Sequence, residues 1–311
     1  MAGIFFIMVA CFTWALDTLI RYPLLNKGFS TLQIVLMEHL TLVIVCLPIL
    51  WRCRHQFRQM NTLSFSCLFF IGGVGSALGT LAYTQAFHYL NPTIVILLQK
   101  LQPLVAILFA CWFLKERIRG YFLQWAALIL LGGFVMIWPD IRALSHSTLY
   151  YADHQVLLKG YGYTLLAVLA WGCATVCGKY LSQKGMDANA IMSGRFLSGF
   201  IVLFPLALFH PASIQVMPAS DVGAVAVMAL LSGLAGMWFY YQGLNRIPAQ
   251  MATLAEQTFP IFAAVINWLC LGMSLSVYQI VGALLLLVGN LGLRLKEMHL
   301  EKPELPKHVS V

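Results

Sequence analysis

The sequence predicts an all-α polytopic membrane protein: ten transmembrane helices form two inverted five-helix repeats, and the N- and C-termini are both cytoplasmic. Three observations lead to this fold class. Of the 311 residues, 60% are hydrophobic and only 10% are charged, whereas soluble domains average about 45–50% apolar and about 25% charged residues. Apolar stretches of membrane-spanning length recur along the chain. The two halves of the chain also match each other at one constant offset.

The apolar stretches are each close to the ~20 residues that a helix needs to cross the hydrocarbon core of a bilayer. They occupy residues 3–22, 31–51, 63–87, 92–114, 120–138, 160–181, 189–209, 221–244, 249–271 and 276–295. The longest polar connection falls after the fifth stretch. The sequence is therefore divided into five predicted helices on each side of it.

An internal repeat appears when the chain is compared with itself at an offset of 157 residues. The matched pairs include Trp14 with Trp171, Gly79 with Gly236, Tyr83 with Tyr240, Pro103 with Pro260 and Gly132 with Gly289. Because each half has an odd number of crossings, the second half must enter the membrane from the opposite side. The predicted domains are a first repeat at 1–139, an external connecting loop at 140–159, a second repeat at 160–295 and a cytoplasmic tail at 296–311.

The basic residues indicate the orientation. Thirteen lysines and arginines lie in segments on the side of the N-terminus and four on the other side, and Lys100 and Arg195 lie within predicted spans. Cytoplasmic loops of membrane proteins carry the excess of basic residues, so both termini are expected inside. The net charge of +8 is accounted for by these loops, and we expect no nucleic-acid partner.

The stretch from Pro92 to Leu114 is the most informative. It carries Gln99, Lys100 and Pro103 near its middle, and a charge at that depth is costly unless it faces protein or water. Pro103 has no N–H, so the carbonyl of Gln99 loses its usual helical donor. Polar side chains and an interrupted backbone therefore coincide.

The matching stretch of the second half repeats this pattern. Glu256 and Gln257 stand in the places of Gln99 and Lys100, and Pro260 stands in the place of Pro103. Interrupted helices at matching positions of inverted repeats are typical of secondary transporters, whose substrate sites lie between the halves. We expect the polar residues of both stretches to bind substrate, with the two prolines as helix breaks.

Other polar and aromatic residues of the spans complete the predicted site. Aromatic side chains could line the substrate cavity, although they also fill helix interfaces; they are Trp14, Trp171, Trp238, Tyr83 and Tyr240. Asp17 and Glu256 are the predicted proton-coupling residues, because a desolvated carboxyl group can alternate between its neutral and charged forms. The alternatives are an ion pair of Asp17 with Arg21, four residues away, and of Glu256 with Lys100 or Arg195. Glu38 and Arg195 are predicted to be structural charges with partners of their own.

Short motifs in both halves carry a family resemblance. In the first half they are Tyr83, Gln85 and Ala86, then Pro103, then Leu114, Lys115 and Glu116, and then Gly132; in the second half they are Tyr240, Gln242, Gly243, Leu244, Pro260 and Gly282. The chain resembles the drug/metabolite transporter superfamily, of the EamA type, from Trp14 to Leu295. One departure is Met273, which stands where the resemblance implies an acidic residue equivalent to Glu116.

The resemblance implies a multi-pass permease of the bacterial inner membrane. We predict alternating-access transport of a small metabolite, an amino acid or a related amine, in the direction of export. Efflux of drugs or other cationic compounds is the alternative, and a channel or a membrane-embedded enzyme is the rival class. The expected partners are the substrate, the lipid bilayer and protons as a coupling ion, in a monomer or a homodimer. No cofactor and no metal are expected.

Overall fold

The computed structural model describes residues 2–115, 120–146, 151–244, 246–247 and 255–300. These residues form nine helices that are long and apolar enough to cross a membrane, and one shorter apolar helix. In chain order they are α1 (Ala2–Asn26), α2 (Thr31–Arg52), α3 (Thr62–Ala86), α4 (Pro92–Phe113), α5 (Phe122–His146), α6 (Tyr151–Gln183), α7 (Ala188–Phe209), α8 (Ala219–Tyr240), the shorter α9 (Thr258–Leu271) and α10 (Val277–Leu300). The chain is thus an all-helical, multi-pass membrane protein.

Two helices contain a wider π-helical segment at corresponding places. In α3 this segment is Ile71–Leu78, and in α8 it is Ala229–Ala235. The first contains three glycines, and glycine adopts irregular backbone conformations without steric cost from a Cβ atom. Segments of this type occur frequently at functional sites. When one half of the chain is shifted onto the other by the repeat offset, the two segments overlap.

Helices α5 and α10 pack closely against each other because small residues lie at their contact. A Cβ atom on Gly132 would lie 2.6 Å from the backbone nitrogen of Leu286, and one on Gly282 would lie 2.6 Å from the carbonyl oxygen of Gly132. Such contacts allow backbones to approach where lipid supplies no hydrophobic driving force. Helix α1 packs against α8 and α9, and α6 packs against α3 and α4.

Within the connection at 140–159, where its polarity predicts a loop, the described residues on both sides of 147–150 are helical. Helix α5 continues to His146 and α6 begins at Tyr151. The physical reason is that neither proline nor glycine occurs between Pro139 and Gly160, so nothing in the sequence breaks a helix there. At the C-terminus α10 extends to Leu300, and the rest of the predicted tail, like Glu116, lies outside the described residues.

Candidate functional site

Helix α4 is interrupted at the predicted position. The α-helix stops at Leu98, the residues Gln99–Leu101 form one turn of 3-10 helix, and the α-helix resumes at Gln102. Pro103 therefore lies in the first turn of the second segment, where a missing N–H costs least.

The backbone at this interruption is hydrogen-bonded within the protein. The Gln99 carbonyl, expected to lack a donor, accepts from the backbone N–H of Gln102. The carbonyl of Lys100 accepts from the amide of Asn290 on α10, at 2.9 Å. Asn290 was not anticipated from the sequence, and only its polarity inside an apolar span could have suggested a role.

The entry to α9 repeats the arrangement. The carbonyl of Glu256 accepts from the backbone N–H of Phe259 at 3.2 Å, and Phe259 corresponds to Gln102 at the repeat offset. The hydroxyl of Thr258 donates to the carbonyl of Ala255 at 2.7 Å. Pro260 again lies in the first turn of the helix that follows. The 3-10 turn within α4 and the turn that leads into α9 thus each satisfy the carbonyl four residues before proline. These two turns are called the two interruptions below.

Lys100 and Glu256 lie near each other between these interruptions. Glu256 is a charged neighbour of Lys100, yet the described residues contain no ion pair between them within 4.0 Å. The ammonium of Lys100 lies 5.8 Å from the ring centroid of Phe259, within the range of a cation–π interaction. The Oε1 atoms of Glu256 and Gln257 are buried and accept no hydrogen bond within the described part of the chain. The site therefore holds acceptors and a cation that a polar ligand could engage.

Aromatic rings flank these groups in two equivalent pairs. Trp14 lies 5.7 Å from Tyr240, and Tyr83 lies 5.3 Å from Trp171, measured between ring centroids. The repeat offset exchanges one pair for the other. Trp14 also contacts Phe259 edge-on at 6.3 Å, and Gln99 is a close neighbour of the Tyr83 hydroxyl. The rings thus connect both interruptions.

Two glycines allow the tryptophans to approach. A Cβ atom on Gly79 would lie 2.8 Å from Nε1 of Trp171, and one on Gly236 would lie 2.5 Å from Nε1 of Trp14. Real Cβ atoms do not approach other atoms so closely, so each indole position requires a glycine opposite it. The two glycines are again equivalent positions of the repeat.

Trp238 does not join this cluster. It is 55% exposed, and its ring contacts Phe239 at 5.0 Å. Two residues along a helix correspond to a rotation of about 200°, so Tyr240 and Trp238 lie on nearly opposite faces of α8. Tyr240 faces inward and Trp238 faces outward. Trp238 was predicted from its aromatic residue type, which does not specify the face of the helix.

A buried charge network surrounds Arg21. The guanidinium donates to both carboxylate oxygens of Asp17 at 2.6 and 2.8 Å, to Glu38 at 3.0 Å and to the hydroxyl of Thr84 at 3.1 Å. Ser232 of α8 donates to Asp17 at 3.2 Å. The ion pair of Asp17 and Arg21 is therefore formed. Only 2% of Arg21 is exposed.

Glu38 has Arg21 as its bonded partner. Arg195 of α7 is a further charged neighbour of Glu38, and the bonded ion pair of Glu38 is the one with Arg21. That ion pair comes from the neighbouring helix α1. Asp17 and Glu38 are thereby held together by one guanidinium, at a different place from Lys100 and Glu256.

The sequence matches a known protein family in both halves of the chain. The model of the EamA-like transporter family matches residues 1–138 and again residues 158–295. The chain belongs to the EamA-like transporter family. It is therefore a membrane transporter of the drug/metabolite transporter superfamily rather than an enzyme, as the sequence motifs predicted.

Individual relatives agree with this assignment. The transporter is 30% identical over 299 residues to the riboflavin transporter ImpX of Fusobacterium nucleatum, an alignment that covers 92% of this chain and 95% of the relative. It is 24% identical to the uncharacterized transporter YoaV of Bacillus subtilis, with 85% and 88% coverage, and 22% identical to the protein LicB of Haemophilus influenzae, with 86% and 89% coverage. A solved crystal structure with 16% identity has a TM-score of 0.60 over 96% of this chain and 99% of that chain, which shows a shared fold.

Proposed function

We propose that the transporter consists of ten transmembrane helices in two inverted five-helix repeats. The repeats are 1–139 and 160–295, an external connection at 140–159 joins them, and both termini, including the tail 296–311, are cytoplasmic. The two separate stretches matched by the family support this division. The paired interruptions of α4 and α9 and the paired π-helical segments of α3 and α8 support the repeat.

Contacts at the helix ends also support the inverted arrangement. The hydroxyl of Ser30 donates to the carbonyl of Ser213 at 2.6 Å, and the backbone N–H of Asp187 donates to the side chain of Gln56 at 3.0 Å. The repeat offset exchanges Ser30 for Asp187 and Gln56 for Ser213. In the proposed topology one contact is external and the other cytoplasmic, so each side of the membrane has an equivalent contact between the repeats.

The substrate site in this proposal lies between the interruptions of α4 and α9. The observation that carries it is Lys100 beside Glu256, without an ion pair among the described residues and between two equivalent aromatic pairs. Planar polar molecules stack on aromatic rings with about 0.5–1.5 kcal/mol beyond area burial. The ammonium of Lys100 and the side chains of Gln99 and Gln257 can exchange hydrogen bonds with ring carbonyl and imide groups.

Riboflavin is the first substrate that this proposal names. Its isoalloxazine ring is planar and carries carbonyl oxygens and an imide N–H, which suit the rings and polar groups of the site. The relative named as a riboflavin transporter, aligned over nearly the whole chain, supports the same choice. An amino acid or a related amine is the second candidate, because the opposed charges of Lys100 and Glu256 complement a zwitterion.

The cycle in this proposal is alternating access across the bacterial inner membrane, in the direction of export. Glu256 is the preferred residue for proton coupling, because its Oε1 accepts no hydrogen bond from the described residues, whereas Asp17 is bonded to Arg21. A bilayer and protons are then the partners besides the substrate, and the unit is a monomer or a homodimer.

Counterflow in proteoliposomes tests the substrate and the class of transport together. Vesicles loaded with unlabelled riboflavin should transiently accumulate labelled riboflavin, and the initial rate should saturate. Counterflow with an amino acid instead of riboflavin would favour the second candidate. Flux that rises linearly with concentration and shows no counterflow would overturn the transporter mechanism in favour of a channel. Right-side-out and inside-out vesicles, compared at equal concentration, measure the direction.

A further inference from the structure

A cavity of about 300 Å³ lies between α4, α5 and α6, apart from the polar groups of the proposed substrate site. Leu98 and Leu101 line it from α4, Gly133 lines it from α5, and Val168 lines it from α6. Leu98 is the last residue of the α-helix before the interruption in α4, and Leu101 is the last residue of its 3-10 turn. Whatever fills this cavity therefore touches the helix at the point where it changes from α to 3-10 geometry.

The cavity opens toward the bilayer. Its rim includes Leu130 and Phe134 of α5 and Leu165 of α6, which are 58%, 50% and 52% exposed. Large apolar side chains with this exposure on membrane-spanning helices face lipid, because water would disfavour them. The material available to enter at this rim is hydrocarbon.

The polar side chains of the lining are already hydrogen-bonded. The hydroxyl of Tyr161 donates to the carboxylate of Asp140, and the hydroxyl of Thr164 donates to the carbonyl of Gly160 at 2.8 Å. The rest of the lining is apolar. The cavity therefore suits an occupant without hydrogen-bonding groups.

Gly133 creates part of the space. A Cβ atom placed on it would lie 3.6 Å from the nearest side-chain atom of Leu101, an ordinary contact distance, so larger side chains would extend into the cavity. The second half carries Asn290 at the corresponding position, and its amide bonds the carbonyls of Lys100 and Leu286 at 2.9 and 2.8 Å. In the second half, the polar side chain of Asn290 packs against α4, whereas Gly133 of the first half leaves a lipid-facing recess beside it.

From this geometry we propose that an acyl chain of a bilayer phospholipid occupies the recess and packs against Leu98 and Leu101. A void would forfeit the dispersion contacts of its lining. The acyl chain restores these contacts at Leu98, just before the 3-10 turn, and at Leu101, the last residue of that turn. The phospholipid thereby stabilises the broken form of α4. This site is separate from substrate binding and does not rest on the identity of the substrate.

Lipid-dependent melting of purified protein tests the proposal. In detergent, the melting temperature of the wild type should rise as phosphatidylglycerol with oleoyl chains is added. Gly133→Leu should melt higher before lipid is added and should gain less than half of the wild-type rise, because its own side chain fills the recess. Gly162→Leu is the matched control, since a Cβ atom there meets no other atom within 4 Å, and it should respond like the wild type.

Photocrosslinking of lipid to the recess is a second test, which does not depend on the folding of Gly133→Leu. Phosphatidylglycerol with a diazirine in its acyl chain should label the rim of α5 and α6 in the wild type, and the milder Gly133→Ala should reduce that labelling while Gly162→Ala does not. Equal lipid-dependent melting in all variants, or labelling spread evenly over the lipid-facing helices, would overturn the site. Labelling that riboflavin abolishes at equal lipid content would assign the recess to substrate instead.

Discussion

Replacing Arg21 with methionine should destabilise the transporter more than any other single change in its charged groups. The guanidinium is almost fully buried and makes three bonds of 2.6–3.0 Å to the carboxylates of Asp17 and Glu38 and one of 3.1 Å to Thr84. Arg21→Met leaves two carboxylates buried beside each other without that partner. Breaking a buried ion pair in this way costs about 3–5 kcal/mol, which corresponds to a fall in melting temperature of roughly 5–15 °C.

Thermal unfolding of purified protein, followed by intrinsic fluorescence, measures this change. The triple variant Asp17→Asn, Arg21→Met, Glu38→Gln removes all three charges and should recover at least half of the loss, because isosteric neutral groups carry no such desolvation penalty. Arg21→Lys should fall between the wild type and Arg21→Met, since a lysine cannot form the bidentate bond to Asp17. If Arg21→Met melts no lower than the wild type, the network does not hold these helices together.

The other predictions concern the interruptions, the coupling and the close contacts. Pro103→Ala and Pro260→Ala should each abolish transport at near-normal melting temperature, with opposite changes of cysteine accessibility on the two sides of the membrane, because each restores a helical donor; normal transport by both variants would make the prolines packing features. Glu256→Gln should make the transport rate independent of an imposed pH gradient to which the wild type responds, and equal rates with and without the gradient in both proteins would exclude proton coupling through this residue. Gly236→Ala should lower the melting temperature, because the new Cβ atom would lie 2.5 Å from Nε1 of Trp14 and displace its indole, at a cost of about 1–3 kcal/mol for overpacking. Gly223→Ala, with open space around it, should leave the melting temperature unchanged. Equal melting temperatures of the two variants would contradict the close contact.

The helical pattern and the interruption of α4 could be predicted because each depends on local chemistry. Apolar length places helices in lipid, and proline removes a donor wherever it occurs. The internal repeat placed Trp14 and Trp171, and likewise Tyr83 and Tyr240, at equivalent positions, but it did not show which rings would contact each other. Local composition could not show that a 3-10 turn would satisfy the carbonyl of Gln99, because the donor, the N–H of Gln102, belongs to a turn geometry that several sequences allow.

The remaining differences arise from tertiary placement. Arg21 lies at the end of an apolar stretch, and its bonds to Glu38 and Thr84 come from other helices. Trp238 was predicted to line the site from its residue type alone, and helix rotation turns it outward. The recess beside Gly133 depends on the packing of three helices, which no single stretch of the sequence specifies.

The central claim is that substrate binds between the interruptions of α4 and α9. It is tested by measuring riboflavin uptake into proteoliposomes that contain the wild type, Lys100→Met or Lys184→Met. Lys184 is exposed, and its ammonium lies 5.6 Å from the ring centroid of Tyr180, so its variant controls for the loss of one positive charge. The wild type and Lys184→Met should show the same saturable uptake. The uptake rate of Lys100→Met at low riboflavin concentration should be lower by at least about tenfold, equivalent to the loss of one charge-assisted hydrogen bond of about 1.4 kcal/mol or more. Absence of saturable uptake by the wild type would contradict the substrate, and undiminished uptake by Lys100→Met would contradict the site.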